Sequence, residues 1–132
     1  MQKNFFMLAA LFGALAVAMG AFGAHGLKQV ASEDVVAVFE TGVRYQFYHV
    51  FALLATALSF GNGNERLLKW SGKFFLLGII LFSGSLYLLT SFKVQGVEGM
   101  SWIGPITPLG GVCLIAAWIL LFSAIAKGKV KN

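Results

Sequence analysis

The sequence predicts an all-α integral membrane protein: a bundle of four transmembrane helices, with an outer amphipathic interfacial helix between the first and the second. Three observations predict it. Hydrophobic residues make up 58% of the chain and charged residues only 11%, with a mean hydropathy of +0.82, whereas an ordinary soluble domain carries about 25% charged residues. A chain this apolar cannot cover its own surface with polar groups, which excludes a soluble enzyme, a disordered tail and a nucleic-acid-binding module. Four runs without charge, at 5–23, 45–60, 74–92 and 106–126, each approach the roughly 20 residues a helix needs to cross a hydrocarbon core of about 30 Å. Their polarity does not alternate, and they are too few for a closed β-barrel, the other structure able to span a bilayer. Residues 1–132 therefore form one transmembrane domain, with spans at about 5–25, 43–60, 73–92 and 106–126.

The first run carries Gly13, Ala16, Gly20 and Gly23 at spacings of three and four, and Ala16-x3-Gly20-x3-Ala24 is a small-xxx-small series. Membrane helices associate through close backbone approach, so this face predicts helix packing within the monomer ahead of a dimer seam. Lys3, the apolar run and Ala21-Phe-Gly-Ala24 also resemble a signal peptide. The glycine and alanine periodicity favours a retained helix instead.

In the first outer loop, Ser32 is positioned as an N-cap and Glu33 and Asp34 suit the positive end of a helix dipole. Val35, Val36, Phe39 and Val43 recur on one face, which predicts an amphipathic helix at the interface running into the second span. Glu40 and Arg44, four apart, are expected to form an interfacial ion pair. Gly61-Asn-Gly-Asn64 predicts a tight turn joining the second and third spans as an antiparallel hairpin. In the outer loop from Lys93 to Gly104, Trp102 fits an interfacial aromatic belt. The fourth span opens with Pro105-Ile-Thr-Pro108, whose first turn lacks two backbone donors. Gly84, Gly110 and Gly111 are expected to serve further close helix contacts, and Cys113 to be an inert packing thiol.

Basic residues set the orientation. With alternating spans, Lys3, Arg66, Lys69, Lys73, Lys127, Lys129 and Lys131 share one side, against Lys28, Arg44 and Lys93 on the other. The positive-inside rule then places both termini in the cytoplasm of a multi-pass cell-membrane protein. The net charge of +5 is distributed as topogenic charges and not as a basic face, so no nucleic-acid partner is expected. The tail from Lys127 to Lys131 suits attraction to anionic lipid.

Polar residues within the spans gather at one end. His25 closes the first, Tyr45, Gln46 and His49 open the second, Ser83 and Tyr87 lie late in the third, and Thr107 begins the fourth. Alternating direction brings these to the outer half of the membrane, where a hydrogen-bond network among His25, Tyr45, Gln46, His49, Ser83, Tyr87 and Thr107 is expected. The inner half reads as leucine, alanine and phenylalanine.

Four ordered motifs then identify a resemblance. Gly20-Ala-Phe-Gly-Ala-His25-Gly-Leu27, Glu40-Thr-Gly-Val-Arg-Tyr45-Gln-Phe-Tyr-His49, Leu81-Phe-Ser-Gly-Ser-Leu-Tyr87 and Pro105-Ile-Thr-Pro-Leu-Gly-Gly111 resemble the signatures of the domain of unknown function 423 family, small four-span membrane proteins of the YgdD/YwdK type. The match covers essentially the whole chain. It implies a four-helix membrane protein and supplies no catalytic activity.

Two histidines on adjacent helices at one depth could ligate haem or a divalent metal. With no carboxylate inside the spans and no Cys-x-x-Cys-His attachment, hydrogen bonding is the role expected of His25 and His49, and no metal or cofactor is expected. Ser83 and Ser85 lack an activating base on their helix, which argues against a serine nucleophile. The expectation is a non-enzymatic accessory or structural membrane protein, its partners the lipid bilayer and a second copy or another membrane protein. A small-solute or ion carrier with a polar site in the outer half is the alternative.

Overall fold

The computed structural model describes residues 1–128 and is helical throughout, with no strand among them. Lys129 and Lys131 lie outside the described residues. Helix α1 spans Gln2–Phe22, passes through a π-helical turn at Gly23–Leu27 and closes with one α turn at Lys28–Val30. Helix α2 spans Glu33–Leu58, α3 Glu65–Gln95 and α4 Ile106–Ala126, the last preceded by a 3-10 turn at Ser101–Ile103.

The interfacial helix expected between the first two spans is not a separate element. Residues 33–42 are the first turns of α2, continuous with the rest. Val36, Phe39 and Val43 form a buried cluster with Leu27, against which Met19 and Tyr87 pack. The apolar face read from the sequence is therefore covered by protein. Ser32 occupies the N-cap position in extended conformation, but its side chain makes no cap hydrogen bond. Asn64 does cap α3, its side chain accepting from the Leu67 N–H at 3.1 Å. Between α2 and α3, Gly61 takes a φ of 91°, which L-residues reach only at a steric cost.

The helices stand in a row. α2 lies between α1 and α3, α4 packs along α3, the contact between α2 and α4 is slight, and α1 and α4 share no substantial interface. The main core runs through this row, with Phe5, Leu53, Leu68 and Phe75 essentially inaccessible. Outward faces remain apolar: Leu11, Leu15 and Val17 on α1 and Val112, Ile115, Ile119 and Phe122 on α4 are all exposed. Exposed apolar side chains in such continuity suit hydrocarbon rather than water.

Three helical stretches are long and apolar enough to cross a membrane, Gln2–Val30, Glu65–Gln95 and Ser101–Ala126. α2 is not among them, because Arg44, Tyr45, Gln46, Tyr48 and His49 interrupt its apolar character. The four-span expectation thus meets composition in three helices.

The glycine stripe of α1 faces α2. A Cβ at Gly13 would lie 3.5 Å from Val50, one at Gly20 3.4 Å from Val43, and one at Gly23 2.9 Å from Phe39. Ala16 is fully buried. Ala24 departs from the expected stripe: it sits about 100° around the helix from Gly23 and is exposed. The backbones of α3 and α4 also approach closely, where a Cβ on Gly110 would collide with the backbone of Phe82.

A polar cluster between the helices

The side chains expected to form one network fall into three separate arrangements. The first centres on Gln46, buried on α2 between α1 and α3. Its Nε2 donates to the Phe12 carbonyl of α1 at 2.7 Å, and its Oε1 accepts from the Tyr87 hydroxyl of α3 at 2.7 Å. One amide thereby joins three helices. The Phe12 carbonyl accepts this bond with its second lone pair, the first serving the helix.

The second joins α3 to its neighbours through hydroxyls. Ser83 Oγ donates to the Gly42 carbonyl of α2 at 2.6 Å. Gly42 is also where a Cβ would meet the Tyr87 ring at 2.9 Å, so glycine is needed for both contacts. Ser85 Oγ lies 2.6 Å from Thr107 Oγ1 at the start of α4 and also donates toward the Phe82 carbonyl at 2.8 Å.

The third is His49, which turns away from the other two. Its Nδ1–H donates to the Tyr45 carbonyl one turn earlier, at 2.6 Å. Rings surround the imidazole: Tyr45, Phe75 and Trp118 have centroids 6.0, 5.9 and 6.1 Å away. Tyr45 itself is exposed and lies against Phe82, with centroids 4.6 Å apart. Its hydroxyl contributes nothing to the Gln46 arrangement, so Tyr45 enters as a ring rather than a hydrogen-bonding group.

His25 does not belong to the cluster. It lies in the π turn between Gly23 and Leu27, the two residues that face α2, and is exposed. The antiparallel register of α1 and α2 separates the histidines as well. Gly13 meets Val50, Gly20 meets Val43 and Gly23 meets Phe39, which sets His25 level with residue 37 or 38 of α2. His49 stands 11 to 12 residues further along, about 17 Å at the rise of an α-helix. A shared depth and joint ligation within one chain are thereby overturned. Among the described residues, no group of three His, Cys, Asp or Glu is placed to hold a metal ion.

Glu40 and Arg44 are both exposed, one turn apart, beside the cleft that Gly20 and Gly23 open between α1 and α2. Side chains on a helix lean toward its N-terminus, here toward the end bearing the long 96–105 loop. The expected ion pair between them is not among the contacts of the described residues, and at exposed positions such a pair is worth only about 0–1 kcal/mol.

Two interhelical bonds lie in the half expected to be featureless. Ser71 Oγ, fully buried, donates to the Ala117 carbonyl of α4 at 2.8 Å, and Gln2 Nε2 donates to the Ala57 carbonyl of α2 at 2.9 Å. A signal for the first was present. Ser71, Gly78 and Ser85 recur every seven residues, and all three meet α4, at Ala117, Leu114 and Thr107. Thr56 is buried and donates to the Ala52 carbonyl of its own helix at 2.9 Å, whereas Thr90, 3% exposed, has no hydrogen-bond partner for its Oγ1.

The chain is 43% identical over 131 residues to the UPF0382 membrane protein YwdK of Bacillus subtilis, covering 96% of this chain and 98% of that protein. It is 42% identical over 126 residues to a UPF0382 membrane protein of Staphylococcus aureus, with the same coverage. The UPF0382 inner membrane protein YgdD of Escherichia coli is 35% identical over 133 residues, spanning 100% of this chain and 97% of its own. No solved structure matches the chain. The family described as protein of unknown function DUF423 matches residues 19–111. With Gly20, Gly23, Gln46, Ser83 and Tyr87 inside that match, the chain belongs to this family of membrane proteins.

Proposed function

We propose that this chain is a four-span cell-membrane protein with both termini in the cytoplasm, acting as a non-enzymatic accessory or structural protein toward a second copy or another membrane protein. One observation carries the reading: the Gln46 amide and the Ser71, Ser83 and Tyr87 hydroxyls are consumed by bonds between helices, while the outward faces of α1 and α4 are apolar and uncovered. Neither Ser83 nor Ser85 has an activating base as partner, since Ser83 donates to the Gly42 carbonyl and Ser85 to the Phe82 carbonyl. A carrier needs polar groups along a path or a second set exposed by rocking. Gln46 and Tyr87 are bonded to each other, and His49 faces three aromatic rings.

Cross-linking mass spectrometry in native membranes tests the proposal, which expects reproducible cross-links to one partner or to a second copy. Flux in proteoliposomes tests the carrier alternative. The structural reading expects His49→Ala to leave flux at the lipid background. Flux in wild type that the substitution abolishes, with folding intact, would refute it.

A further inference from the structure

We infer that the groove between α1 and α3 is a binding site for a single acyl chain of a glycerophospholipid, whose ester carbonyl accepts a hydrogen bond from Thr90. The inference rests on the membrane placement proposed above and goes beyond it to a specific ligand. Two clefts line this side of the row, of about 310 and 270 Å³. They share Met19 and Tyr87 in their walls, so they lie end to end along one groove. Leu15 and Phe22 of α1 and Ile80 of α3 are exposed beside it, so it opens sideways toward lipid.

Two features of the groove have no role in folding. Thr90 keeps a buried hydroxyl without a partner at the upper cleft, and a buried hydrogen bond left unmade is destabilising. Gly84 lines the lower cleft at its outer edge, where α3 also borders a cleft toward α4, and a Cβ built there meets nothing within 4 Å. The sequence expectation that Gly84 serves a close helix contact is therefore incorrect. A glycine in a helix interior is destabilising relative to alanine, with no neighbour here to require it. Both residues make sense with an occupant in the groove, Gly84 leaving width for a chain and Thr90 supplying the donor at its head.

The depths agree. Trp70, exposed and with the Lys73 ammonium 4.9 Å from its ring centroid, suits the interface at the hairpin end. Thr90 is 20 residues further along α3, about 30 Å, the thickness of a hydrocarbon core. Its hydroxyl thus stands at the opposite boundary, where lipid ester carbonyls lie. From Thr90 to Ile79 at the bottom of the lower cleft is 11 residues, about 17 Å. That is close to one leaflet's share of the hydrocarbon.

The test is native mass spectrometry of delipidated protein, titrated separately with dioleoyl phosphatidylglycerol and with oleic acid. A one-to-one phospholipid adduct is expected for the wild type. Gly84→Phe, whose Cβ has open space and whose ring adds bulk at the groove edge, is expected to weaken it about tenfold or more, and Thr90→Val about three- to tenfold. Gly111→Phe, a helical glycine outside the groove whose nearest neighbour lies 3.9 Å away, is expected to bind as wild type does. Equal phospholipid binding by wild type and a folded Gly84→Phe would overturn the inference. So would equal loss in Gly111→Phe, or binding of oleic acid without phospholipid. Alkaline carbonate extraction of the same cells separates the two proposals. A chain washed from the membrane refutes the placement, whereas a retained chain lacking a groove-dependent adduct refutes the groove alone.

Discussion

Replacing Gln46 with leucine removes two interhelical bonds at once and leaves the Tyr87 hydroxyl without its acceptor. A stranded polar group costs more than the bond it made, so Gln46→Leu is expected to destabilise the bundle by about 1–3 kcal/mol in a detergent unfolding titration. Ser71→Ala loses one bond, to a carbonyl still satisfied within its helix, and is expected to cost about 0.6 kcal/mol, the average for interhelical hydrogen bonds in membranes. Similar costs for the two would mean that the Gln46 bridge does not join three helices. Such residues were partly legible from the sequence. Gln46, Ser83 and Tyr87 stood out as polar groups in apolar runs, and each has an interhelical partner. His25 stood out equally, yet it is exposed. Polarity marks a residue as notable, but only the register of neighbouring helices decides whether it reaches another. The backbone acceptors Phe12, Gly42 and Ala117 were invisible, because a carbonyl is common to every residue.

Among the helices, the two N-caps beside the outer loop and the hairpin separate local sequence signals from realised structure. Both Ser32 and Asn64 are residues that favour this position. Only Asn64 makes the bond. Asn64→Ala is accordingly expected to lower stability by about 1 kcal/mol in the same titration, and Ser32→Ala by a few tenths at most. A larger loss at Ser32 would refute the assignment. The α3–α4 contact gives a sharper expectation. Gly110 lies against the Phe82 backbone, which cannot yield as a side chain can. Gly110→Leu is expected to cost about 1–3 kcal/mol or to separate the pair, read as a lowered melting temperature, whereas Gly84→Ala is expected to be neutral or slightly stabilising. Both are glycines in apolar helices, and nothing in their immediate sequence distinguishes them. The seven-residue recurrence of Ser71, Gly78 and Ser85 was readable, because periodicity reports a shared face.

For the whole molecule, the open question of span number turns on α2. Its composition sets it apart from the three helices apolar enough to cross a membrane, yet its position argues the other way. It runs antiparallel between α1 and α3, meeting Gly13, Gly20 and Gly23 of the first through Val50, Val43 and Phe39 and Ser83 of the other through Gly42. Its 26 residues extend about 39 Å, more than the hydrocarbon core. Gln46 and His49 face protein rather than lipid. If its two neighbours cross the bilayer, α2 cannot stay on one side without abandoning those contacts. Hydropathy penalises α2 for Gln46, whose amide α1 and α3 satisfy, and for His49, whose Nδ1–H is satisfied within the helix. Parity makes the difference measurable: four crossings leave the termini on the same side, three leave them on opposite sides. Replacing Cys113, the one free thiol, with serine gives a background for single cysteines. Asn62→Cys in the hairpin is then expected to react with an impermeant maleimide only when the cytoplasmic face is open, and Gly99→Cys in the long loop from outside in intact cells. Reporter tags on the N- and C-termini are expected to be shielded together. Termini found on opposite faces would leave α2 outside the membrane and with it the packing of the entire row.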